Sequence, residues 1–424
     1  MKPLLLSTYL EGGAGGAAYR LHQGLRQIGV PSHVLMQRII VPRTYDDSVI
    51  APETKPAAEL ARLRPTLDRL PLSLYSGQRG MFSPNWLPDS IAENVRRLNP
   101  DVINMHWVLD GFVRVETLPR LRKPIFWTLH DMWPFTGGCD YSGDCDRYTR
   151  MCGACPQLDS GRERDLSRWT WRRKAKAWQD LDLTIITPSA WMASCARASS
   201  LFGHRRIEII PNGIDTNRFK PIDRRVARRL LQLPQDKQLI LFGAWINDGR
   251  KGFDLLEAAL RRLSRAGWGE KMNAVFFGIS RPKDPPDLGC KSHYLGRLND
   301  DISLALTYAA ADVFMAPSIQ DNLPTTLIES IACGTPCVAF DVGGVPDIIE
   351  HEKNGYIARP FETEDLARGI AWVLAEEDRH RRLACRARQK AEEQFTMEQQ
   401  ARRYAGLFSE SIAGQSRTDP QLPR

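Results

Sequence analysis

No apolar run in this chain approaches the roughly 20 residues that a membrane-crossing helix requires, so no segment is expected to span a bilayer. The opening Met1-Lys2-Pro3-Leu4-Leu5-Leu6-Ser7-Thr8-Tyr9 is too short for a signal peptide and runs directly into glycines. It is expected to be the first strand of a sheet, in a cytoplasmic protein. Helix-turn-helix, RNA-binding and zinc-finger patterns are missing, so the formal net charge of +8 does not point to nucleic acid. No internal repeat of solenoid length is present, which excludes a stacked-repeat architecture. Gly13-x-Gly15-x-x-Ala18 fits a dinucleotide fingerprint, but the acid expected about twenty residues on is missing. Leu35-Met36-Gln37-Arg38 stands there instead, which argues against NAD or FAD.

What is present is the make-up of a globular protein. The 424 residues are 42% hydrophobic and 25% charged, and the length exceeds one ordinary core. Apolar strand patterns recur at Lys2–Ser7, Pro31–Met36, Val102–His106, Ile125–Leu129, Leu183–Pro188 and Ile207–Pro211. A second series covers Gln238–Gly243, Ala274–Gly278, His293–Leu295, Val313–Ala316 and Cys337–Phe340. Amphipathic segments such as Ala17–Ile28 separate them. This rhythm predicts α/β architecture with parallel sheets covered on both faces, in two Rossmann-like domains facing a cleft. The first domain is expected over 1–212, with a cysteine-bearing insertion at about 136–160, and the second over 213–395. Thr216–Pro234 reads as a charged, irregular linker. Helices are expected at Asp365–Ala375, Glu377–Glu393 and 396–412, and 413–424 as a disordered tail.

The most informative segment is Ser318-Ile319-Gln320-Asp321-Asn322-Leu323-Pro324-Thr325-Thr326-Leu327-Ile328-Glu329, followed by Ser330-Ile331-Ala332-Cys333-Gly334-Thr335-Pro336. Asp321 and Asn322 are helix-capping types, Pro324 suits a first turn, and Gly334 with Pro336 stops the helix. A helix start beside a strand's carboxyl end suits an anion such as a diphosphate, and Glu329 on that helix suits sugar hydroxyls.

This block resembles the signature of the family-4, group 1, retaining glycosyltransferases of GT-B type, in which an acid, seven residues and a Glu recur on such a frame. Here the first acid is Asp321, shorter than the usual Glu, and the second is Glu329. Gly343-Gly344-Val345-Pro346-Asp347, Thr128-Leu129-His130-Asp131, Ile210-Pro211-Asn212-Gly213, Lys251-Gly252 and the glycine loop agree, in order, over roughly residues 1 to 405. The stretch Trp127–Leu158 is similar to a subgroup found among bacterial exopolysaccharide and colanic-acid-type transferases.

The resemblance implies transfer of a sugar, hexosyl in type, from a nucleotide-diphosphate donor to a glycan or lipid-linked acceptor in surface polysaccharide synthesis. It implies that no cofactor or metal is required for catalysis. It makes the first domain the acceptor side, the second the nucleotide-sugar side, and returns the last helix to the first domain. It assigns catalytic roles to His130, Lys251, Asp321 and Glu329. Substrate contacts are implied at Gly13, Gly15, Gly16, Asn212, Gly296, Arg297, Asn322, Leu323 and Thr326. The family's Arg, five residues before Lys-Gly, is Trp245 here, leaving Arg250 as the cation to take its place. His106 is a weaker candidate. Read as residues alone, the glycines also fit a tight turn, Lys251 a surface lysine and His130 a structural histidine. A sugar-nucleotide epimerase of the same shape and a non-catalytic sugar-nucleotide-binding subunit remain alternatives.

Two features stand outside that signature. Cys139, Cys145, Cys152 and Cys155 cluster with a C-x2-C knuckle, which suits a structural zinc site, with free thiols or a redox pair as alternatives. Arg162–Trp178 carries Arg168, Trp169, Trp171, Arg172, Arg173, Lys174, Lys176 and Trp178. That composition suits contact with an anionic membrane surface, the cytoplasmic face here, and equally a helix whose tryptophans pack inward.

Overall fold

The computed structural model describes residues 1–40, 45–52, 54–77, 80–243 and 248–418. The chain divides into two units, Met1–Gly213 with the segment from Glu398, and Ile214–Met397.

The first unit grows from short apolar runs that bury both faces. Its strands are β1 (Pro3–Ser7), β2 (His33–Met36), β3 (Val49–Ile50), β4 (Val102–Met105), β5 (Ile125–Thr128), β6 (Leu183–Thr187) and β7 (Arg206–Ile209). They form one sheet in the order β3-β2-β1-β4-β5-β6-β7, with every pairing parallel. Alternation along β1 sends Leu4 and Leu6 into one core and Leu5 into another on the opposite face. The helices are α1 (Gly12–Gln27), α2 (Lys55–Asp68), α3 (Ile91–Leu98), α4 (Leu166–Trp178) and α5 (Ala190–Ala198).

The second unit repeats the plan. Strands β8 (Gln238–Gly243), β9 (Met272–Phe277), β10 (Lys291–Tyr294), β11 (Val313–Ala316), β12 (Cys337–Phe340) and β13 (Gly355–Ala358) pair in the order β10-β9-β8-β11-β12-β13. Leu239 and Leu241 join one core, Ile240 and Phe242 the other. The helices are α6 (Arg224–Leu230), α7 (Phe253–Leu263), α8 (Asp301–Ala310), α9 (Thr325–Ala332), α10 (Val345–Ile348), α11 (Thr363–Leu374) and α12 (Glu377–Gln394).

The last helix, α13 (Met397–Thr418), belongs to the first unit from Glu398 onward. Tyr404 and Phe408 are fully buried in the core that holds Leu5 and Phe126. Tyr404 Oη lies 2.9 Å from Thr128 Oγ1, and the Phe126 and Phe408 rings meet edge-on at 4.8 Å. Each such burial contributes about 1.5–3 kcal/mol, enough to dock a terminal helix.

Four expectations require correction. Helix α1 begins at Gly12, so Gly13, Gly15 and Gly16 lie in its first turns and not in a loop before Ala17. Helix α9 begins at Thr325 with Pro324 in the cap position, so Asp321 and Asn322 are not its caps. The stretch taken as an irregular linker contains α6, started by Asp223 accepting from Val226 N at 2.9 Å and anchored by buried Arg228 on Asp312 at 2.6 Å. Helix α13 runs to Thr418 instead of ending at 412. Strands β3 and β13, two and four residues long, were not anticipated.

Candidate functional site

In each sheet the chain order reverses between the first strand of the unit and its fourth, β1 against β4 and β8 against β11. Ligands of doubly wound sheets bind beyond the carboxyl ends of the strands at such switch points. Lys251, Arg250 and Asp321 stand beyond β8 and β11, and the glycines of α1 and His130 beyond β1 and β5, whereas Asn212, Gly296 and Arg297 follow the edge strands β7 and β10.

In the second unit the turn after β8 holds the cations. Asp248 accepts from Arg250 N at 3.1 Å and pairs with the Arg250 guanidinium at 3.1 Å. Gly252 has φ +68, and a Cβ there would lie 1.9 Å from Pro317 O, so glycine lets this turn press on the turn after β11. Lys251 Nζ is thereby held 2.6 Å from Asp321 Oδ2. Arg250 stands 3.5 Å from the same oxygen and donates to Gln320 O at 2.9 Å. A third turn closes in: Gly344 N donates to Asp321 O at 3.2 Å. Gly343, at φ +54, has no room for a Cβ, which would fall 1.8 Å from Asp321 O. Burial pushes the Asp321 carboxyl up, but Lys251 and Arg250 outweigh it and hold it below its usual value. Asp321 is therefore ionised, and its charge is spent on the cations instead of on capping α9. Trp245, the position at which the family's Arg is missing, lies outside the described residues.

Asn322 and Leu323 are buried and Thr326 half-buried in the lead into α9. Glu329, farther along that helix, is also buried and accepts from Tyr308 Oη at 3.0 Å. Tyr308 is fully buried on α8, and burial and Glu329 together drive its hydroxyl pKa far up, so it donates. Tyr308 was not foreseen, although a lone aromatic in the run Leu304–Ala311 was a signal. At the end of β10, Gly296 has φ +70 with open space around its Cβ position, and accepts from Gly278 N at 2.8 Å. Arg297 is exposed beside it.

In the first unit the switch point is built differently. Gly12 and Gly13 face open space, whereas a Cβ on Gly15 would lie 2.5 Å from Tyr9 O and on Gly16 3.6 Å from Arg20. Gly15 thus serves the packing of α1 on the strand end, and the two earlier glycines leave the helix N-terminus accessible. Its free N–H groups suit an anionic or hydroxyl-bearing ligand. Beyond β4 and β5, His106 Nδ1 lies 2.9 Å from His130 Nε2, with the rings stacked at 5.2 Å. Burial lowers both: His130 to about 4, and His106 well below its ordinary value, with His130 adding to the effect. Both are neutral at pH 7. His106 Nε2 and the Oδ1 of buried Asn212 have no hydrogen-bond partner among the described residues. Such orphaned buried atoms accumulate where a ligand or water completes the site. Asp131, next to His130, is pushed up to about 7 by burial and by Asp140, while accepting from Trp107 Nε1 at 2.8 Å.

Helix α4 uses most of its unusual residues inward. Trp178 and Lys174 are buried, and Arg173 pairs with Glu116 at 2.6 Å and donates to Pro84 O and Asn85 O. Trp169 is 45% exposed under the Arg173 guanidinium. Among the described residues, no helix is long and apolar enough to cross a membrane.

The second unit thus brings two cations onto Asp321 and carries buried Glu329 farther along α9, and the first unit carries neutral imidazoles and glycine amides. Comparison with known proteins agrees. The family model described as "Glycosyltransferase Family 4" matches residues 11–218, and that described as "Glycosyl transferases group 1" matches residues 223–390. A D-inositol 3-phosphate glycosyltransferase of Nocardia farcinica is 30% identical over 300 residues, 68% of this chain and 61% of its own length. The enzyme of the same name from Segniliparus rotundus is 31% identical over 186 residues, 42% of this chain and 41% of its own. The chain thus spans less than two thirds of either relative. Among solved structures, a sucrose-phosphate synthase from Thermosynechococcus elongatus superposes with a TM-score of 0.72 at 20% identity, over 98% of this chain and 100% of that one. The two Rossmann-like sheets are those of the GT-B fold, and the chain belongs to the family-4, group 1 glycosyltransferases.

Proposed function

We propose that this protein is a retaining glycosyltransferase that moves a sugar from a nucleotide-diphosphate donor to a hydroxyl of a glycan or lipid-linked acceptor. The observation that carries the reading is the convergence of Arg250 and Lys251 on Asp321 at the switch point of the second unit, in a chain of this family. Lys251 and Arg250 stabilise the charge that develops on the departing diphosphate, as preorganised cations do. Glu329, buried and held by Tyr308, takes the ribose hydroxyls with its remaining acceptor capacity. Asp321 contacts donor sugar hydroxyls once the diphosphate draws Lys251 away from it. His130, neutral, orients the sugar, and the glycines of α1 with Asn212 admit the acceptor. The bond from the anomeric carbon to the phosphate oxygen breaks, and a bond to the acceptor oxygen forms on the same face. The acceptor's proton passes to the departing phosphate. No metal takes part in this scheme.

The relatives' printed activity favours a polar, inositol-phosphate-like acceptor. The similarity of Trp127–Leu158 to exopolysaccharide transferases favours a growing surface glycan at the cytoplasmic face of the membrane. Leu60, Leu63, Leu70 and Leu74 support membrane contact: all are exposed, Leu74 by 84%, and Arg62 and Arg69 lie between them in sequence. Sedimentation with anionic vesicles tests this, and Leu63→Glu with Leu74→Glu should abolish it. The test of the activity is a panel of nucleotide sugars followed by thermal shift and by release of nucleoside diphosphate. A donor that stabilises the chain and is turned over supports the reading. A donor that binds but is never cleaved or transferred favours a binding-only subunit, and a rearranged free nucleotide sugar an epimerase.

A further inference from the structure

The segment from Thr136 to Asp165 holds only two 3-10 turns, Arg147–Thr149 and Pro156–Leu158. A connection this long without helix or strand needs something to hold it. Its apolar core is small: Leu72, Phe82, Cys155 and Leu158, with Tyr75, Cys139 and Leu166 packed against them. Beside that core lies a cavity of about 20 Å³ onto which Cys139, Cys145, Cys152 and Cys155 all open. A space of that size takes about one water-sized particle. We propose that these four cysteines bind one zinc ion, which staples the segment between β5 and α4.

The chemistry of the donor set fits. Four thiolates complete a tetrahedral shell with no open position, so the ion is structural and takes no part in transfer. The turn at Cys152-Gly153-Ala154 runs through φ of +48, +107 and +43, which folds the C-x2-C pair back on itself so that both cysteines reach the same cavity. A Cβ on Gly153 would fall 2.4 Å from Glu163 O, so glycine is required there. Gly137 N donates to Cys152 Sγ at 3.1 Å, the kind of amide-to-sulfur bond that supports a bound thiolate.

A buried lysine stands beside the cluster. Lys174 is fully buried and donates to Trp133 O and to Thr136 O at 3.1 Å, with its Nζ 3.5 Å from the Trp133 ring centroid. An ammonium buried among neutral carbonyls is expensive unless a counter-charge is near. Burial lowers the Lys174 pKa well below its ordinary value, and Cys152, Cys139 and Asp131 act against that lowering. Without a cation, burial pushes the Cys152 thiol up to about 12. Loading is then Zn²⁺ plus four thiols giving a dianionic tetrathiolate and four released protons. Among the described residues no group of three or more His, Cys, Asp or Glu already stands at metal-holding geometry. The thiols must therefore turn inward as the ion enters.

The test uses the full chain purified from zinc-replete medium, and does not depend on the transferase reading. Elemental analysis should find about one zinc per chain, retained through gel filtration and released by a mercurial thiol reagent. Of the nine cysteines, the four should resist a thiol-reactive dye until a chelator is added. Cys152→Ser should lose at least tenfold in zinc retention, and Cys385→Ser should lose none. Should Cys152→Ser fail to fold, cobalt loading of the wild type still decides, through the visible bands of a tetrahedral thiolate site. Substoichiometric zinc with all nine thiols reactive, or a mass two hydrogens short that reveals a disulfide, would overturn the proposal.

Discussion

The two units share one strand order and differ in what they place at the strand ends. The second gathers charge: Arg250 and Lys251 meet Asp321, each within 3.5 Å. The first sets buried imidazoles there, His106 and His130, whose pKa values burial lowers, beside the glycines of α1, and ties its charges into pairs of Arg38 and Arg69 with buried Asp110. Topology alone therefore does not specify chemistry. Cations converging at a switch point suit a phosphorylated ligand, and neutral imidazoles with backbone amides suit hydroxyls.

The comparison can be broken first at Lys251. Lys251→Ala should cut turnover by about 10²-fold or more, the scale for losing a group that stabilises transition-state charge, while circular dichroism stays unchanged. His130→Gln should cost less, because a neutral group is replaced by a neutral group. Equal losses would erase the contrast.

Glycine substitutions come next. Gly343→Ala forces a side chain into φ +54 against Asp321 O and should cost at least about 1–3 kcal/mol, read as a fall in Tm. Gly13→Ala meets nothing within 4 Å. It should leave Tm unchanged or slightly raised while weakening acceptor use.

The pH dependence separates the units further. The His130 pKa is lowered in the folded state to about 4, so the unfolded chain takes up the proton first as pH falls. Stability from the neutral imidazole is full above pH 6.5 and is lost as pH falls toward 4. The Tm advantage of wild type over His130→Gln should shrink across that window. Asp321 is lowered from 3.8, so the advantage of wild type over Asp321→Asn should persist until pH falls below that value. The smallest effect is expected at Trp169, whose exposed ring lies 4.4 Å from Arg173: Trp169→Ala should cost about 0.5–1 kcal/mol.

Much of this was legible in the sequence because the signals were local. Cys337–Phe340 and Val313–Ala316 are continuous apolar runs, and the structure gives them as strands with those bounds. Strand β13 escaped because four residues beginning with a glycine carry no periodicity, and its pairing with β12 is a tertiary fact. The lead into α9 was misjudged because capping propensity is local, whereas Asp321 answers to Lys251, seventy residues away. The pairing of His130 with His106 and of Glu329 with Tyr308 joins different elements, which spacing cannot reveal. Lys174 was on view in one respect: Thr170, Lys174 and Trp178 recur every four residues and share the buried face of α4. A lysine on that face contradicts ordinary patterning, and it is the residue that now points to the cysteine cluster.

A donor diphosphate is expected at the strand ends of the second unit. Hydrogen exchange of the full chain, with and without UDP, GDP or ADP, decides whether it binds there. At least one nucleotide should slow exchange at Arg250–Gly252 and across Ser318–Thr326, and the protection should vanish in Lys251→Ala. Protection confined to other segments, or undiminished in that variant, would contradict the account.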